Sequence, residues 1–387
     1  MLLNPRKLRL VAGFAAVAIP GFAQVSMELA NSARTKISLK PNRAVGLGPR
    51  LVSHSNSTGT GPGLAFFTAD FLSLGSKELP INIVGTNPSL GANTTVVPTV
   101  LVPLKFIFPN PGHPVLDGTN VIEATANSPI FQVADYTTGG VDLGVTQFGD
   151  ALQRGEFWNL PGFSTNYHVL LGTPAVAPTV TVTVPAGLGN AFPLLHGSFF
   201  GVLDPTFFNG VLATLLSSYT ANELPIFMTD NVVLGVQGQL QNCCAIGFHS
   251  STGGGPIATA QTWIYASFIQ PGTIVGDPIL DVQSLSHEVA EWLNDPFVGG
   301  PVIGGVNLVA PFVVPGTGGL CQINFETGDV LEAPPVVFTQ VTNGTTYHLQ
   351  DEAFLPYFLH SAPSFSVAGF YSLIGTFQTF STLCGPG

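Results

Sequence analysis

The run Ser286-His287-Glu288-Val289-Ala290-Glu291 sets an imidazole and two carboxylates at a spacing that can hold a divalent cation and use it. On a helix, His287 and Glu291 stand one turn apart on a shared face. One ring nitrogen and one carboxylate oxygen then converge on a single ion, as the two histidines of HExxH helices do. Glu288 is rotated by about 100° from His287, the position of a general base that takes a proton from water. The flanking residues predict the helix itself. Val282, Leu285, Val289, Trp292 and Leu293 form an apolar stripe opposite His287 and Glu291, with Asp281 as N-cap and Asn294-Asp295-Pro296 as the stop. The same pattern has a second reading, a solvated polar face opposite a core stripe.

A catalytic zinc site takes three protein ligands and keeps one position for water. Downstream, Glu326-Thr327-Gly328-Asp329 supplies two carboxylates in a glycine-containing turn, and either Glu326 or Asp329 completes the set. One divalent ion is therefore expected, with zinc as the leading choice, although an oxygen-rich set discriminates less between metals than a histidine-dominated one. His249, just after Cys243-Cys244, has two readings: it polarises a substrate carbonyl or it hydrogen-bonds in the core. His348, Asp351 and Glu352 read as surface or capping groups, and His54, His113, His168, His196 and His360 lack ligand spacing. No GxSxG elbow, P-loop or dinucleotide-binding glycine motif is present.

The charge distribution bears on the same residues. All 11 basic residues of the 387-residue chain lie at or before Arg154, whereas fourteen of the 22 acidic ones follow it. A buried carboxylate is costly unless paired, hydrogen-bonded or metal-bound. The carboxylates beyond Arg154 must then face water or meet a cation that the chain does not supply. A formal net charge of −11 disfavours nucleic acid as a partner. With only 9% charged residues, 45 glycines and 32 prolines, the chain is neither a coiled coil nor a charge-rich disordered segment.

The elements that must carry these residues are mostly strands. Val100 to Phe108, Thr179 to Val184, Pro225 to Leu234 and Thr262 to Ile269 are short apolar or alternating runs bounded by Pro and Gly. Helical periodicity appears over Thr146 to Trp158, with Asp150 and Arg154 at i,i+4, over Thr206 to Tyr219, and over Val282 to Leu293. This mix predicts a β-rich α+β fold. Met1 to Ala23 reads as a secretory signal, with Arg6, Lys7 and Arg9 before an apolar core. Residues 24–63 read as a flexible leader, and 64–387 as one domain. Export, to the periplasm or outside the cell, favours disulfides, and the adjacent Cys243 and Cys244 are expected to bond outward rather than to each other. The uncharged stretch Phe297 to Leu320 is broken by Gly and Pro, so it reads as a loop, and no integral membrane segment is expected after signal removal.

The string from Ser286 to Pro296, followed by Glu326-Thr-Gly-Asp329, resembles the HExxE…DP…ExGD pattern of secreted bacterial proteins related to plant exordium (phosphate-induced) proteins. Cys243-Cys-Ala-Ile-Gly-Phe-His249, Gln147-Phe-Gly-Asp150 and His348-Leu-Gln-Asp-Glu-Ala-Phe354 resemble further segments of that family. The resemblance implies a zincin-like domain in which a metal-bearing helix packs on a mixed sheet and an edge strand, here Thr262 to Ile269, lies beside a cleft. It implies His287 and Glu291 as ligands, Glu288 as base, Glu326 or Asp329 as third ligand, and a peptide or other extracellular polymer as substrate. This sequence has glutamate where well-established metallopeptidases have a second histidine, and an anionic ligand makes water at the ion less acidic. The expected function is thus a secreted metal-dependent hydrolase; its alternative is a non-catalytic extracellular structural or glycan-binding protein with a structural metal site.

Overall fold

Two strands that are apolar on both faces organise the molecule. In the computed structural model, which describes residues 63–72, 78–194, 197–252, 257–274, 278–298, 307–314, 321–332 and 335–379, every residue of Leu224–Asp230 and of Gln261–Phe268 is buried. Such runs belong in a sheet covered on both sides. The expected signal, nearly all of the leader, His54, His196 and Cys384 lie outside the described residues.

The central sheet contains β1 (Thr99–Ile107), β2 (Val180–Thr183), β3 (Leu224–Asp230), β4 (Gly247–Thr252) and β5 (Gln261–Phe268), in the spatial order β2-β1-β3-β5-β4. The first four in that order run parallel, and β4 joins β5 antiparallel at the end of the path. The strand expected at the edge, Thr262 to Ile269, is therefore interior, flanked by β3 and β4. Its unbroken burial already signalled cover on both faces. The edge is β4 instead, which carries His249.

Helices cover both faces. On one, Ile226, Met228, Ile264 and Ala266 pack in a common core with Leu285, Val289, Trp292 and Leu293 of α3 (Gln283–Asn294). On the other, Phe227, Trp263 and Tyr265 pack with Phe208 and Leu212 of α2 (Pro205–Leu216). A side chain of this size contributes about 1.5–3 kcal/mol when fully buried, so the sheet-facing stripe of α3 anchors it firmly. A third helix, α1 (Phe148–Glu156), crosses α3 closely, because Gly149 leaves room for Leu293. The fold is thus mixed and strand-rich, as expected, with predominantly parallel strands at its centre.

Local details depart from the sequence reading. Asp150 and Arg154 share a face of α1 but do not pair. Asp150 accepts from Val169 N at 2.7 Å and meets His168 Nδ1 at 2.8 Å, while Arg154 Nε donates to the Thr165 carbonyl. Asp281 does not cap α3; the cap position is Val282. Asp281 Oδ2 instead pairs with His348 Nδ1 at 2.6 Å, which fixes the entry of the helix to a strand that follows much later. Cys243 and Cys244 are bonded to each other, not outward, and Cys321 is also in a disulfide. The stretch expected as a loop over Phe297 to Leu320 contains β6 (Leu308–Val313), which pairs with β7 (Cys321–Asn324). Among the described residues, no helix is long and apolar enough to cross a membrane.

Candidate metal centre

The polar face of α3 is not a surface face: all twelve residues from Gln283 to Asn294 are buried. Three neighbours cover that face. The first is β4, whose register pairs His249 with Ile264. Directly opposed residues point to the same side of a sheet, so His249 faces α3 with Ile264, whereas Phe248 turns with Tyr265 toward the other core. A one-residue slip would aim the imidazole away from the helix. The second is the turn Glu326-Thr327-Gly328-Asp329 after β7. The third is the hairpin of β8 (Val337–Thr342) and β9 (Thr345–Gln350), whose last residue takes a bond from Gln283, donates from its backbone to Ser286 Oγ, and donates from its side chain to the Gly328 carbonyl at 2.8 Å.

Two glycines set the closeness of these contacts. A Cβ on Gly247 would stand 2.5 Å from Ser284 Oγ and 2.7 Å from Glu288 Cγ. One on Gly328 would stand 2.3 Å from His287 Nδ1, at the position where the Gly328 N–H donates to Glu291 Oε1 at 3.1 Å. The requirement at Gly328 is for space, since its φ of −81° is open to any residue. Gly328→Ala should therefore displace the imidazole and cost about 1–3 kcal/mol, the range for overpacking. Gly210→Ala, on exposed helix surface with nothing within 4 Å, serves as its control and should be neutral or stabilising. Thermal melts of the two variants beside wild type check this; equal melting temperatures would remove the steric argument.

All six residues expected at the site converge. His287 Nε2 lies 3.1 Å from Glu291 Oε2 and 3.9 Å from Asp329 Oδ1. His249 Nδ1 lies 3.2 Å from Glu288 Oε2 and 3.8 Å from Glu291 Oε2, and its Nε2 lies 3.7 Å from Glu326 Oε2. Two groups of potential ligand atoms result, each lying within 4.8 Å of one another: His287, Glu291 and Asp329, and His249, Glu291 and Glu326. The choice between Glu326 and Asp329 as partner of His287 is thus made by geometry in favour of Asp329, while Glu326 partners His249.

Two further carboxylates belong to the cluster, and the sequence reading placed them elsewhere. Asp295, read as part of the helix stop, is fully buried, and its backbone carbonyl accepts from His249 Nε2 at 3.2 Å. The i,i+4 register from His287 through Glu291 to Asp295 was the signal for it. Glu352, read as a surface or capping group, is fully buried beside His287 and Glu291 and accepts from Thr327 Oγ1 at 3.1 Å. No periodicity marks Glu352, because β9 reaches the site only through tertiary packing.

Searches against protein-family models, curated proteins and solved structures return no match to this chain.

Burial lifts the Glu326 and Asp329 carboxyls well above the ordinary range, and neighbouring carboxylates lift them further. Burial also raises Glu352 strongly, and it pushes Asp295 up to about 8 despite the Asn307 N–H. Glu288 is raised by burial against the opposing pull of His249 and His287. At Glu291 burial is outweighed by His287, His249 and the Gly328 N–H, and its carboxyl lies below the ordinary value. Burial would lower both imidazoles, but Glu291 holds His287 well above its usual value and Glu288 raises His249. Burying one ion costs several kcal/mol even after relaxation, a large part of the 5–15 kcal/mol by which a typical domain is stable. Six carboxylates facing two imidazoles therefore require protons or a cation. Among the described residues, Glu326 Oε2, Asp329 Oδ1, Asp295 Oδ2 and Glu352 Oε1 have no hydrogen-bond partner. Buried His, Glu and Asp groups with free lone pairs form a donor set that can hold a divalent ion, whose bonds to nitrogen and oxygen run to about 2.0–2.2 Å.

Proposed function

We propose that this protein is a metal-dependent hydrolase of metallopeptidase type, with His287, Glu291 and Asp329 as ligands of a divalent ion, zinc by preference, and Glu288 as general base. The observation that carries this reading is the inward-facing polar side of α3, where His287 and Glu291 meet Asp329 and its unpartnered oxygen. A helix bearing the ligands on one face of a mixed sheet, with an antiparallel strand at the sheet's end, supports a zincin-like arrangement and the proposed kinship with the exordium-related secreted proteins. The substrate on this reading is a peptide or another polymer met outside the cytoplasm, and the chain is secreted or periplasmic.

When bound, a divalent ion supplies Lewis acidity for carbonyl polarisation. The chain's own residues do the rest. Glu288 belongs to neither ligand group, so its carboxylate is free to take a proton from an attacking water. Its raised pKa makes it a better base than an ordinary glutamate. His249 Nδ1 holds Glu288 Oε2 at 3.2 Å and orients it.

The burial of the ligands favours a second reading, in which the ion is structural: Asp329 is 1% exposed and Glu291 3%. Both readings require the ion. Protein purified without chelator should contain at least about one equivalent of a divalent metal by mass spectrometry, and a folded, metal-free protein that takes up none on addition of zinc would end both.

A further inference from the structure

We infer that the centre is binuclear, with Glu291 bridging one divalent ion held by His287 and Asp329 to a second held by His249 and Glu326. The inference rests on the proposed metal site and extends it.

Three observations carry it. The two ligand groups have only Glu291 in common, and each contains its own imidazole. Each also contains its own buried oxygen without a hydrogen-bond partner among the described residues, Asp329 Oδ1 in one and Glu326 Oε2 in the other. A single three-ligand site would leave one of these oxygens stranded, at about 1–3 kcal/mol or more for a charged group. The Thr327-Gly328 insert makes the separation: with Gly328 N bonded to Glu291 Oε1, the turn sends Asp329 toward His287 and Glu326 toward His249. Finally, Glu291 Oε2 lies between the two rings, 3.1 Å from His287 Nε2 and 3.8 Å from His249 Nδ1, and in each group one ring nitrogen lies within 4.8 Å of the carboxylate oxygens that would share its ion.

The separations within each group suit an ion. Two ligands at about 2.1 Å from one ion stand roughly 3.0–4.2 Å apart; the contacts of 3.7 and 3.9 Å fall in that range, too long for hydrogen bonds. Charge balance points the same way. Glu288, Glu291, Asp295, Glu326, Asp329 and Glu352 are all buried, and the chain beyond Arg154 has no lysine or arginine to offset them. Two divalent ions offset four of the six charges; one offsets two. Ion binding at His249 and His287 requires the neutral rings and releases protons, so proton release should accompany loading.

The test uses the full chain loaded with Zn²⁺ or Mn²⁺ and freed of excess metal by gel filtration. We expect two equivalents per chain by mass spectrometry, and a spin-coupled Mn²⁺ signal in electron paramagnetic resonance, since ions sharing one carboxylate interact. Glu326→Gln and Asp329→Asn should each fall to one equivalent and show an uncoupled Mn²⁺ spectrum. One equivalent in wild type, with an uncoupled spectrum, overturns the binuclear centre but leaves the mononuclear reading standing. Zero equivalents overturns both. The wild-type stoichiometry decides the matter even if a variant fails to fold.

Discussion

Glu288→Gln is expected to lower hydrolysis of a fluorogenic peptide library by about 10²–10⁴-fold, the contribution of a positioned general base, while the variant folds and retains its metal. The amide keeps an oxygen that can accept from His249 Nδ1, now 3.2 Å from Glu288 Oε2, and loses only the capacity to take a proton. Metal content should be unchanged, because Glu288 belongs to neither ligand group. Stability should hold or rise: the carboxyl is raised by burial and by the Glu291 charge, so its ionised form is strained in the fold and a neutral isostere is not. The measurements are turnover, metal content and melting temperature on one preparation. Full turnover in the variant would remove Glu288 from the chemistry. Equal loss of metal and turnover would show that Glu288 acts as a ligand, and loss of turnover with metal and fold intact is the expected catalytic signature.

Metal removal should cost more as the pH rises. Asp295 has a folded pKa of about 8 against an ordinary 3.8, and Glu326, Asp329 and Glu352 are likewise raised. Over the interval between the unfolded and folded values the native state holds more protons than the unfolded chain, so unfolding free energy falls with pH. The stability these groups contribute is complete below about pH 4 and is lost progressively up to about pH 8 for Asp295. His287 and His249, also raised, act in the same direction above the ordinary histidine range. Glu291 alone acts oppositely: its lowered carboxyl contributes stability at neutral pH that disappears as the pH falls through its folded value. A bound ion replaces the protons, and at a thousand times its dissociation constant it adds about 4 kcal/mol. Melts with excess zinc and with chelator at pH 5, 6.5 and 8 should therefore diverge, with the widest gap at pH 8. Parallel curves would mean that these carboxylates do not share an ion.

Much of the site was legible in the chain. The register of His287, Glu288 and Glu291 follows from a period of 3.6 residues, and three of the four long strand runs follow from apolar patterning bounded by Gly and Pro; the fourth, Pro225 to Leu234, is instead split at Asn231, whose φ is 56°, into strands of two different sheets. The absence of any lysine or arginine after Arg154 announced that inward carboxylates would need a foreign cation or protons. Each of these is a local or compositional property, and local properties survive in one dimension. Tertiary structure alone decided the rest. The polar face of α3 is buried because β4, β9 and the Glu326–Asp329 turn close over it, and no amphipathic pattern separates a face turned to bulk solvent from one turned to a buried polar site. The edge position of β4, the pairing of Asp329 with His287 and of Glu326 with His249, and the entry of Glu352 all depend on contacts between residues far apart in sequence. Residue spacing determined which groups were able to meet. Strand order and the two glycines at 247 and 328, by fixing the closeness of approach, determined which of them do.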